Sequence, residues 1–95
     1  MPALNKLDLV VSDVPAATEF FRDAVGLTVT FADERFAELD AGPVSIMLTP
    51  DAMVPTRPAA GTILHFQVDD VTQAVRRARR YGAEVLLAPT QTDWG

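Results

Sequence analysis

Ninety-five residues, 48% of them apolar, suffice for one hydrophobic core without disulfide or metal staples. The absence of cysteine excludes a disulfide framework, a thiolate nucleophile and thiolate metal sites, and it suits a cytoplasmic protein. Eight Lys and Arg against thirteen Asp and Glu give a net charge of −5, which argues against nucleic-acid binding and leaves a small neutral or cationic ligand easier to accommodate.

From Leu7 to Val11 the chain alternates, with Leu7, Leu9 and Val11 on one face and Lys6, Asp8 and Val10 on the other, which predicts a first strand. Ser12 and Asp13 offer N-cap oxygens, and Ala17, Phe20, Phe21 and Ala24 share one helical face, so a helix is expected from about Val14 to Val25 with Gly26 as its stop. Beyond it Leu27, Val29 and Phe31 alternate against Thr28 and Thr30 as a second strand. Polar breaks at 33–35 and at Gly42 and Pro43 separate two more short strands, Phe36 to Asp40 and Val44 to Thr49.

The stretch 50–61 carries three prolines and no sustained period, and reads as a linker. After it Ile63 to Val68 alternates as a fifth strand. Asp69 or Asp70 caps a second helix with a stripe of Val71, Ala74, Val75 and Ala78, and Gly82 ends it before a strand over Glu84 to Ala88. No apolar run approaches the roughly 20 residues of a membrane span, and the start lacks a secretory pattern, so no membrane partner is expected.

A shift of 57 positions superposes Leu7 on Leu64, Val11 on Val68, Asp13 on Asp70, Val14 on Val71, Ala17 on Ala74 and Arg22 on Arg79. With one deletion Gly26 meets Gly82 and Val29 meets Val85, so strand, cap, helix and stop recur in order. The expected architecture is α+β: two tandem βαβββ-type modules, 1–49 and 62–95, within one domain of 1–95. They would form a curved mixed sheet with a cleft. The second module is expected to lack its last two strands, leaving edge groups unpaired or covered by a partner; truncation is the preferred reading and strand exchange between subunits the alternative.

The runs LDLVVSDV at 7–14, FFRDAVGL at 20–27 and FQVDDV at 66–71, together with the tandem pattern, resemble the vicinal-oxygen-chelate superfamily of glyoxalase I, bleomycin-resistance proteins and extradiol dioxygenases. The likeness covers nearly the whole chain, and its motifs are structural, so they speak to fold before reaction. Metal-dependent members place one inward ligand on each of the first, fourth, fifth and eighth strands. The resemblance puts three of these positions on Lys6, Met47 and Ile63, and the eighth strand has no counterpart. Ammonium, thioether and alkyl groups do not replace imidazole or carboxylate, so no metal and no other cofactor is expected.

Alternation places Lys6, Asp8 and Val10, then Ser45, Met47 and Thr49, then Ile63, His65 and Gln67 on inward faces, a mixed polar and apolar lining suited to a small organic molecule. His65, the single histidine, stands opposite Asp8 in the repeat, where an Asp–His couple would tune a general base; a hydrogen-bonded packing role is the preferred reading. Lys6 has a snorkelling alternative to anion binding. Trp94 would stack on a planar ligand or pack at a subunit interface. The arginines at 76, 77, 79 and 80 read as a solvated helix face near a C-terminus.

The favoured function is a metal-independent small-molecule binder, sequestering an antibiotic or metabolite in the paired clefts of a homodimer, which strand or module swapping would also permit. The alternatives are a metal-dependent lyase or extradiol-dioxygenase-type enzyme, and a non-catalytic dimerising scaffold.

Overall fold

A computed structural model describes residues 2–51 and 64–85 of the chain. The alternating segments of the first half form strands β1 (Lys6–Val10), β2 (Thr28–Ala32), β3 (Ala37–Ala41) and β4 (Val44–Thr49) in one mixed sheet of order β1-β4-β3-β2. β1 runs parallel to β4, and β3 is antiparallel to both β4 and β2. The fold is α+β, as expected. Gly42 makes the β3–β4 hairpin possible: its φ of 85° opens a two-residue loop completed by Pro43, a backbone that a side chain would strain.

Helix α1 (Val14–Glu19) crosses from β1 to β2. Asp13 caps it, its carboxylate accepting from the Ala16 N–H at 3.0 Å. The expected single helix to Val25 is corrected in its second half, where Phe20–Val25 is π-helical and ends at Gly26 with φ 93°. Two features accompany the widening. The Thr18 hydroxyl donates to the Val14 carbonyl at 2.7 Å, which loosens a helix, and the adjacent rings of Phe20 and Phe21 meet edge to face at 6.0 Å with both partly buried.

Alternation then decides the layers. Val14 of α1 packs with Ala37, Leu39, Ile46 and Leu48 of the sheet, and Leu7, Leu9, Ala17, Phe21 and Val29 flank that core. Each fully buried leucine there contributes about 1.5–3 kcal/mol. Residues on the opposite face of the sheet are left for other work.

The second half departs from expectation in two respects. Residues 64–68 form neither helix nor strand, although their alternation predicts a fifth strand; Ile63 lies outside the described residues. A strand needs a hydrogen-bonded partner, and among the described residues none pairs with 64–68. Helix α2 (Val71–Arg80) does form, capped by Asp70 accepting from the Gln73 N–H at 3.0 Å, but none of its residues is buried. Its predicted stripe is half-buried at Ala74, Val75 and Ala78 and open at Val71, because α2 rests on the π-helix instead of covering the sheet. Residues 83–85 are outside any strand, and the rest of the strand expected at 84–88, like 52–61 of the linker, lies outside the described residues.

Candidate functional site

The pairing register assembles the face opposite the core. Lys6 stands beside Ser45, Asp8 beside Met47 and Val10 beside Thr49 on the parallel β1–β4 pair. Side chains at paired positions point the same way, so five of the residues expected in the cleft, Lys6, Asp8, Ser45, Met47 and Thr49, share one surface. Lys6 and Asp8 are exposed, Ser45 and Thr49 are half-buried, and Met47 is 7% exposed, an apolar floor between polar neighbours.

Strand β3 extends this surface with residues that the sequence reading passed over. Asp40 pairs with Ser45 and Glu38 with Met47, and on the far side Thr28 pairs with Asp40. The signal was available: Ala37 and Leu39 alternate toward the core, which turns Glu38 and Asp40 outward. The carboxylates are oriented locally. Asp40 accepts from the Gly42 N–H at 2.9 Å, and Glu38 accepts from the Thr30 hydroxyl at 3.1 Å beside a register shift in β2. Three carboxylates and one ammonium therefore line the sheet face, giving it a local charge of −2.

His65 and Gln67 lie at one end of the sheet, lining a cavity of about 470 Å³ with Gly26, Thr28, Asp40, Gly42 and Phe66. Asp40 belongs to both the sheet face and this cavity, and joins the two halves of the expected lining. Among the described residues no hydrogen bond or ion pair links His65 to Asp8. The segment is held against the first unit by Phe66, whose ring lies 6.4 Å from that of Phe21. Ile63 and Trp94 lie outside the described residues.

Lys6 and Met47 are the two described positions that the resemblance assigns to metal ligands, and their donor chemistry does not fit a hard or borderline divalent ion. No group of three or more His, Cys, Asp or Glu side chains close enough to hold a metal occurs among the described residues. No described helix is long and apolar enough to cross a membrane.

No curated protein sequence matches the chain. Solved structures do. One, described only as a "conserved domain protein", is 35% identical with a TM-score of 0.83 over 99% of this chain and 83% of its own. Lactoylglutathione lyase from Agrobacterium tumefaciens superposes with a TM-score of 0.63 at 19% identity, covering 92% of this chain and 75% of the lyase. TioX from Micromonospora sp. ML1 gives 0.63 at 21% identity over 100% and 81%. The last two are likenesses of fold alone. A model of the Glyoxalase/Bleomycin resistance protein/Dioxygenase superfamily matches residues 3–95, nearly the full length over which the motifs and the strand–helix order were traced, and the chain belongs to that superfamily.

Proposed function

We propose that this domain is a metal-independent small-molecule binder that sequesters a metabolite or antibiotic bearing a cationic group. The observation that carries the reading is the composition of the sheet face, where Asp8 and Glu38 flank Met47 and Ser45 stands between Lys6 and Asp40; the resemblance would put metal ligands at Lys6 and Met47, whose ammonium and thioether do not suit a hard or borderline ion. Met47 supplies an apolar floor and the carboxylates supply oriented acceptors, the usual division of labour in a small-molecule site. Asp8, Ser45 and Thr49 on the sheet and His65 and Gln67 in the adjoining cavity would contact opposite ends of one ligand. Ile63 and Trp94 complete the proposed lining.

The same reading keeps the tandem-module organisation, 1–49 and 62–95 joined through 50–61, and a homodimer. Two observations support these. The Asp13 and Asp70 caps recur with similar backbone and the same hydrogen bond to the N–H three residues on, and Gly26 and Gly82 both take positive φ, 93° and 99°, after their helices. Tyr81 and Val85 are exposed in the second half, where a second subunit would cover them. Analytical ultracentrifugation checks the dimer; a monomer at all concentrations removes it.

Thermal-shift screening with a panel of cationic aromatic amines and antibiotics tests the function, since a ligand at 100 times its Kd adds about 2.7 kcal/mol of stability. Hits are expected, and Asp8→Asn and Asp40→Asn should diminish their shifts. If no compound shifts the transition, or the hits act equally on both variants, the cleft reading fails and the dimerising scaffold replaces it.

A further inference from the structure

Helix α2 carries a charge pattern that neither the cleft nor the fold uses. Within 71–80 there are four arginines and no acid, whereas the other 85 residues hold four cations and thirteen acids, a net of −9. Arg76 and Arg80 are one helical turn apart, and Arg77 lies a turn before Arg80, so like charges face each other along one side. Favourable interaction with the helix C-terminus offsets part of that repulsion. Among the described residues none of these arginines forms an ion pair; the two pairs present are Arg22–Asp23 and Arg35–Asp51.

The arrangement is also concave. A cavity of about 410 Å³ lies between the π-helix and α2, with Ala24, Val25, Val68 and Ala74 as its apolar part and Gln73, Arg76, Arg77 and Arg80 as its polar part. Arg77 is fixed in place, its Nε donating to the Asp23 carbonyl near the end of the π-helix. The nearby Asp23 carboxylate is occupied by Arg22, with two hydrogen bonds of 2.8 Å. Arg79 does not line the cavity.

We propose that this cavity is an anion site, separate from the cleft, that takes a small organic phosphate with its dianionic head on Arg76, Arg77 and Arg80 and its apolar part on Ala24, Val25 and Val68. Guanidinium groups match phosphate oxygens with paired N–H donors, and Gln73 adds a neutral donor. A dianion also removes the repulsion among the arginines.

Phenyl phosphate and inorganic phosphate, titrated by NMR at constant ionic strength, test the site on the full chain. Phenyl phosphate should bind more tightly than inorganic phosphate and perturb residues 24, 25, 68, 73 and 74. Arg76→Ala or Arg80→Ala should weaken it about tenfold or more, the loss expected for one charge-assisted contact. Arg79→Ala, which removes the same charge outside the cavity, should change binding less than about twofold, and Lys6→Ala should leave it unchanged. The proposal is overturned if neither phosphate binds, if Arg79→Ala weakens binding as much as Arg80→Ala, or if an oligonucleotide binds more tightly than phenyl phosphate with no dependence on Arg76. Folding of the exposed-site variants is checked in the same spectra.

Discussion

Residues 7–26 and 64–82 share one local code and meet different fates. Both run from an alternating segment through an aspartate cap to a helix and a glycine stop, and the two caps have nearly the same backbone, φ −126° and ψ 93° at Asp13 against −136° and 102° at Asp70. Yet Val14 is 1% exposed and its repeat counterpart Val71 is 53% exposed. Caps and stops are satisfied by atoms a few residues away, whereas burial of a helix face requires a sheet beneath it. The first unit has β4 and β3 to supply one, and α2 rests chiefly on the π-helix among the described residues.

Mutations can break or sharpen this contrast. The largest effect belongs to the sheet side of the first core: Leu39→Ala or Leu48→Ala should cost about 2–5 kcal/mol in urea unfolding, because both side chains are fully buried. Val14→Ala should cost about 2 kcal/mol, while Val71→Ala stays within about 0.5 kcal/mol. Equal losses at the paired valines would show that α2 is covered in solution and would end the contrast. Smaller still, Asp13→Ala should lower global stability by about 1 kcal/mol, whereas Asp70→Ala should appear chiefly as faster amide exchange within α2.

The smallest effect is electrostatic. Hydrogen bonding to Arg22 holds the Asp23 carboxyl below its ordinary value. A depressed folded pKa means that the contribution is present above the unfolded pKa and is lost as pH falls through the folded one. Asp23→Asn should therefore lower Tm slightly at neutral pH and converge with the wild type in strong acid. The pair is solvent-exposed, so a large shift would show that it has a structural role beyond the contact itself.

Much of the first unit was legible because its information is local or periodic. Val44 to Thr49 was read to the residue, Asp13 was one of two cap candidates with Ser12 and Gly26 was the expected stop, and the alternation of Leu7 and Leu9 against Lys6 and Asp8 assigned the two faces of β1 correctly. The π-helical turn was not legible, since Phe20 to Val25 has a hydrophobic pattern that an α-helix satisfies equally well. Residues 64–68 show the opposite limit: their alternation is as regular as that of β1, but pairing depends on a partner that periodicity does not supply. On the sheet face opposite the core, alternation in β1 and β4 grouped Lys6, Asp8 and Met47, and leaving out β3 passed over Glu38 and Asp40 on the same face, although Ala37 and Leu39 betray their orientation.

We propose that the sheet face binds its ligand without a metal ion. The most direct test is elemental analysis of the protein after incubation with zinc, nickel, manganese and ferrous salts followed by desalting. The predicted result is metal well below one equivalent per chain for every ion; one equivalent of any of them, lost on Asp8→Asn or Glu38→Gln, would contradict it.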